Sequence, residues 1–282
     1  MGMTVNTNVS ALNAYRNLSN TQNDLSKSLA RLSSGLRINS AGDDAAGLAI
    51  SQGLQSQVGG LQVAARNAQD GINVVQTADG ALNEVQTILQ RMRDLAVQGA
   101  NDSNDSTSRA AIKTEGDELG QELYRITNNT SFNGIDLLKG GTLNFQVGAG
   151  STDNDAIKVS LADVATAVGG LASADGTAAQ TGLDVTDITT AHTSIDTIDT
   201  AITAISTARA KLGASQNRLE SAVRSVNITQ QNLTAAKSTI TDTDMASEMA
   251  NYSRSNILAQ AGTAMLAQAN QSTSSVLQLL RG

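Results

Sequence analysis

Neither cysteine nor proline occurs in the 282 residues, tryptophan is absent, and three tyrosines and two phenylalanines make up the whole aromatic content. Without cysteine the chain can hold no disulfide, no thiolate metal site and no cysteine nucleophile. That suits a chain that crosses redox compartments or is handled unfolded. Without proline, helices can run long and uninterrupted. With aromatics at 2% there is too little ring bulk for the usual compact core, so burial has to come from Leu, Ile, Val and Ala arranged along seams. A net charge of −7 with scattered basic residues argues against nucleic-acid binding. No apolar run reaches the length of a membrane span, which excludes membrane insertion as a helix. The opening MGMTVNTNVSALNAYRNL has neither the basic nor the apolar segment of a secretory signal. The expectation is a chain that is cytosolic, or exported by a route that needs no such signal.

What the chain does have is a repeat of seven. Ala191, Ile198, Ile205, Leu212, Leu219, Val226, Leu233 and Ile240 stand seven apart without a break, with Ile195, Ile202 and Val223 at the intervening position. A seam sustained this long predicts a coiled coil rather than a surface helix, and at ~1.5 Å per residue it is roughly 75 Å long. Arg209, Gln216, Gln230 and Lys237 occupy the same second seam position. Polar groups there cost stability but restrict register and partner. A matching line runs through Leu54, Leu61, Ala68, Val75, Leu82, Leu89 and Ala96, with Asp79-Gly80 as a soft spot.

Both ends are weaker. Leu18, Leu25 and Leu32 form one line and Leu29 and Leu36 its neighbour, diluted by Ser, Asn and Thr. A helix this polar is marginal alone and is expected to order only against a partner. The last helix carries Met245, Met249, Leu258, Ala261, Met265, Val276, Leu279 and Leu280. Glycines in SSGLRINSAGDD (Ser33 to Asp44) mark a connector, and Asp43 or Asp44 is placed to cap the helix that follows. In the middle the period falls to two: Leu143, Phe145 and Val147, then Ile157, Val159 and Leu161, flank the loop Gly148 to Asp155 and predict a β-hairpin. Phe132-Asn133-Gly134 is a turn signal. The fold expected is mainly α, a long antiparallel coiled-coil bundle from both chain ends with a small β-hairpin region between them. Its parts are an N-terminal inner helix and connector (1–44), the first half of a helical rod (45–140), a hairpin and short variable surface segment (141–186), the long helix that completes the rod (187–240), and a C-terminal inner helix (241–282).

No catalytic constellation or cofactor site emerges. His192, the only histidine, has no nucleophile or metal ligand patterned around it and reads as an incidental surface residue. Asp153-Asn154-Asp155 and Asp242-Thr243-Asp244 lack the glycine and distal glutamate of a calcium loop, so turn and capping roles are expected. Gly116 to Gly120 spells GxxxG in a polar helix, where it signals chance or close packing rather than membrane dimerisation. Met245, Met249 and Met265 are spaced for packing in a core or an interface.

Four stretches carry a resemblance: SLARLSSGLRINSAGDDAAGLAI (Ser28 to Ile50), LQRMRDLAVQGAND (Leu89 to Asp102), TSFNGIDLL (Thr130 to Leu138) and SRSNILAQAGTAMLAQANQSTSSVLQLLRG (Ser253 to Gly282). In order and separation they closely resemble bacterial flagellins. The resemblance implies a structural subunit that polymerises with its own copies into the extracellular flagellar filament. It implies export in an unfolded state through the flagellar type III apparatus, a chaperone on the C-terminal helix, assembly beneath a cap protein, and contact with hook–filament junction proteins. Leu18, Leu25, Leu29, Leu32, Leu258, Met265, Leu279 and Leu280 would then pack the inner tube. Leu54, Leu61, Val75, Leu82, Leu89, Ile198, Ile205, Leu212, Leu219, Val226 and Leu233 would form the seam of the surrounding rod. Gln90, Arg91, Leu95 and Glu122 resemble the surface read by a host Toll-like receptor, with Met92 and Asp94 departing from that pattern; the same residues would also serve subunit packing. The large outer domains of many flagellins are missing here. A hook–filament junction protein shares the paired-helix plan and is the alternative. An enzyme displayed on a filament would need a catalytic insert that the middle lacks, and a free-standing coiled-coil adaptor would not explain the weak ends.

Overall fold

The computed structural model describes residues 8–172 and 183–281, with the side chains of 272–281 outside the described set. The heptad lines become two helices of 55 and 54 residues, α2 (Ala45–Gly99) and α5 (Ile188–Thr241). Around them lie α1 (Val9–Ser34), α3 (Ser106–Asn129), α4 (Val164–Ala167) and α6 (Met245–Arg281). Two antiparallel pairs complete the described elements: β1 (Ser131–Phe132) with β2 (Ile135–Asp136), and β3 (Lys139–Gln146) with β4 (Ala156–Asp163). The chain falls into two compact units, one of Met1–Val58 with Gln231–Gly282 and the other of Gly59–Gln230. Both α2 and α5 run through both units.

Within Gly59–Gln230 the two long helices are antiparallel. Arg93 meets Asp199, Asp79 meets Arg209, and the backbone at Gly71 faces Leu219, so numbering rises along one helix as it falls along the other. The seam closes on Val75, Leu82, Leu89, Ile198, Ile205, Leu212 and Leu219, with Leu61 and Val226 also buried. Arg209, a polar group in the seam, donates from Nε to Asp79 at 2.9 Å and from Nη1 to Gln86 at 2.8 Å. Gln216 instead bonds Glu220 on its own helix. Asp79-Gly80 does not interrupt α2, because isolated glycine is tolerated where neighbouring turns are packed.

A single seam does not account for α2. Val74, Ala78, Val85 and Met92 form further buried positions, and Ile112 and Leu123 of α3 join the same core. Asp105 caps α3 by accepting the Ser108 N–H at 2.8 Å, and the bonds from Ser108 hold its carboxyl below the usual range. The turn expected at Asn133-Gly134 joins β1 to β2, with both residues at positive φ, as a tight two-residue hairpin requires. The larger hairpin forms as expected, with Leu143 opposite Val159 and Phe145 opposite Ile157.

One expectation needs correcting. The segment 141–186 is not simply surface: Val164, Val168, Leu171, Leu183 and Val185 are core residues, and 173–182 lie outside the described residues. The reason is close approach. A Cβ added at Gly116 would stand 2.6 Å from Leu183 Cβ, and one at Gly99 would stand 2.6 Å from Val185 Cβ. Glycine on α3 and at the end of α2 makes the slots these side chains fill, which is the packing reading of Gly116.

Candidate functional site: the terminal helix pair

The terminal unit is built by α1 and α6. Asn8 starts α1 by accepting the Ala11 N–H, and Gly35 ends it in the left-handed region at φ 72°, donating to the Arg31 carbonyl. This is the glycine stop that lets an α-helix release its chain without strain. Asp244 starts α6, accepting from Ala246 and Ser247. The helices are antiparallel: Asn8 donates to the Ala269 carbonyl, Leu18 lies against Gly262, and Arg31 stands 3.8 Å from the buried Glu248.

The seam between them mixes leucines with small and polar residues. On α1 the half-buried or buried line is Ala11, Ala14, Leu18, Thr21, Leu25, Ser28 and Leu32, and on α6 it includes Tyr252, Ala259, Gly262 and Leu266. Leu18, Leu25 and Leu32 share this half-buried line, and Leu18 packs against Gly262 of α6. By contrast, Leu29, Leu258 and Met265 are 56%, 52% and 65% exposed. Small residues on α6 let the helices approach and take the seam positions, which leaves the bulkier side chains outside. Leu279 and Leu280 belong to α6, but their side chains lie outside the described residues. Val9, Leu12, Tyr15, Ile50, Met245, Met249 and Ile257 are also exposed. An exposed apolar surface of this kind marks an interaction site rather than ordinary surface scatter.

The two connectors hold the pair at one end. Leu36 and Asp242 form a β-bridge. The Arg37 N–H donates to the Thr241 carbonyl at 2.6 Å, its Nη2 to the Ile240 carbonyl at 2.7 Å, and the Thr243 N–H to the Gly35 carbonyl at 3.0 Å. Arg37 thereby satisfies carbonyls at the C-terminal end of α5 and places a positive charge at the negative end of that helix. Of the two candidate caps, Asp44 serves α2 and Asp43 closes the loop before it. Asp44 accepts the Gly47 N–H, while Asp43 accepts from Asn39 and from Ser40 N–H and hydroxyl, bonds that lower its pKa. Asp242 accepts the Ser238 and Thr241 hydroxyls, so its pKa is also lowered. In the same unit Lys237 reaches Gln55, and the seam residues Leu54 and Leu233 are only half-buried.

The residues of the receptor-like patch separate. Gln90 and Arg91 are exposed on α2, with Arg91 donating to Glu115 at 2.6 Å. Glu122, on α3, is held by the Arg125 guanidinium, which lowers its pKa. Leu95 is only 2% exposed and belongs to the core. It is corrected from a surface contact to a residue that holds its helix in place. His192 is exposed. Among the described residues no group of three or more His, Cys, Asp or Glu could hold a metal ion, and no helix is long and apolar enough to cross a membrane.

The unit Gly59–Gln230 thus holds long antiparallel helices closed on an apolar core, and the terminal unit holds a helix pair with several large apolar side chains exposed. Residues 5–142 match the bacterial flagellin N-terminal helical region and residues 195–280 the bacterial flagellin C-terminal helical region. The chain is 48% identical over 284 residues to the flagellin of Halalkalibacterium halodurans, covering 99% of this chain and all of that one. It is 44% identical over 306 residues to the flagellin of Bacillus subtilis, with the same coverage. A putative flagellar hook-associated protein from Vibrio parahaemolyticus shares the fold at 14% identity and TM-score 0.56, covering 70% of this chain and 99% of that one. The chain belongs to the bacterial flagellin family, the structural subunits of flagellar filaments.

Proposed function

We propose that this chain is the repeating subunit of a swimming filament and that the outer surfaces of α1 and α6 are where copies join. The observation that carries this is the exposure of Leu29, Ile257, Leu258 and Met265 on a helix pair whose seam mixes a few leucines with small and polar residues. A contact between different patches of identical chains does not close on itself and yields an open helical polymer. In this reading 1–44 and 241–282 form the inner tube and 45–140 and 187–240 the rod around it, with 141–186 packed in part into the rod and supplying the rest of its outer surface.

The same weakness supports passage through the flagellar type III apparatus. A terminal pair with little core of its own unfolds at low cost, and no disulfide has to open. A chaperone covering α6 before export would mask the apolar groups that later join copies, and assembly would follow beneath the cap protein, onto hook–filament junction proteins. The free subunit would present Gln90, Arg91 and Glu122 to a host Toll-like receptor. Receptor-reporter assays on the Arg91→Ala/Glu122→Ala subunit are expected to show reduced signalling, and wild-type signalling would remove that assignment.

The polymerisation test uses the full chain carrying Ile257→Asn and Leu258→Asn, seeded with filament fragments and followed by sedimentation and electron microscopy. The variant is expected to keep the wild-type melting curve and form no filaments. Normal filaments would overturn the assignment of the surface. Failure of the unmodified chain to polymerise would turn the reading toward a junction protein.

A further inference from the structure

We infer that Met245, Met249 and Met265 form an oxidation-sensitive switch on the assembly surface, read by peroxide while the subunit is free. Four methionine side chains are described. Met92 is fully buried, whereas Met245, Met249 and Met265 are 46%, 51% and 65% exposed on α6. Outside the described residues stand only Met1 and Met3. Every described methionine beyond the core therefore lies on the helix that the proposed function assigns to contact between copies, and this inference rests on that reading.

Methionine suits a surface that must meet neighbours, because its unbranched thioether adapts to irregular contacts. The same sulfur is a nucleophile toward hydrogen peroxide. A thioether lone pair attacks one peroxide oxygen, the S–O bond forms as the O–O bond breaks, and the departing hydroxide takes a proton to leave as water. Sulfur is oxidised by two electrons, peroxide is reduced, and the product is a polar sulfoxide. Burying that group against an apolar neighbour without a hydrogen-bond partner is unfavourable. Oxidised free subunits would fail to join, while subunits already assembled would have these sulfurs covered. Restoration needs a methionine sulfoxide reductase and a thiol reductant.

The experiment exposes folded free subunits and finished filaments to the same limited dose of hydrogen peroxide, maps sulfoxides by peptide mass spectrometry and then measures seeded polymerisation. Sulfoxide is expected at residues 245, 249 and 265 and not at 92 in free subunits, with loss of polymerisation. Finished filaments are expected to be spared at the same three positions. The Met245→Leu/Met249→Leu/Met265→Leu chain is expected to polymerise before and after peroxide. Oxidised wild-type subunits that still polymerise would overturn the switch, as would loss of assembly in the peroxide-treated leucine variant. If the leucine variant fails before treatment, single substitutions and reductase rescue of oxidised wild type decide the matter: no rescue overturns it. Failure of untreated wild type to polymerise counts instead against the filament reading.

Discussion

The unit Gly59–Gln230 and the unit of the two chain ends use the same helical grammar with opposite burial. The first closes on Val75, Leu82, Leu89, Ile198, Ile205 and Leu219. In the second, among the described residues, the buried side chains are Ser28, Ser51, Thr241 and Glu248, and the one buried hydrophobic residue is Ile38. Many of its large apolar groups, among them Leu12, Leu29, Ile257, Leu258 and Met265, are exposed. Folding free energy follows apolar area removed from water, so the first unit carries a core of its own, and the second has apolar surface left over, which the proposed contact between copies would bury. A chain that must stay soluble as a monomer and become a polymer benefits from that division.

The comparison can be broken most forcefully at Leu89. Leu89→Ala removes a fully buried side chain and is expected to cost about 2–5 kcal/mol, seen as a lowered thermal midpoint of the Gly59–Gln230 unit. An unchanged midpoint would mean this core is not what holds the unit. A smaller effect is expected from Arg37→Ala, which deletes the bond to the Ile240 carbonyl and is worth about 1 kcal/mol. Amide exchange should rise in α1 and α6 and stay level around Leu82 and Leu89. Equal changes in both units would erase the distinction. Smallest of all is Leu258→Asn in the free subunit: an exposed site away from any buried network typically shifts stability by under about 0.5 kcal/mol. A larger shift in the monomer melt would mean Leu258 already has an intramolecular partner.

Much of this was legible because its signals are periodic or chemical. Residues seven apart announced α5 almost to its ends, and the alternation around Gly148 to Asp155 announced the hairpin. Glycine and aspartate between Ser33 and Asp44 announced a stop, a loop and a cap. The α1–α6 seam was less readable, because Ala259 and Gly262 win their positions by being small, and hydrophobicity rewards Leu258 and Met265 instead. Leu95 matched a surface pattern by identity, yet its burial depends on the core around α2. The slots at Gly99 and Gly116 join residues far apart in the chain, so no local window displays them.

Composition and periodicity alone determined that this chain would be long-helical and antiparallel, because proline-free heptads leave few other ways to bury Leu, Ile and Val. Tertiary structure decided which side of each terminal helix is spent inside the molecule and which is left for a neighbour. That choice turns on how closely two backbones can approach, a property of paired surfaces rather than of either helix read alone.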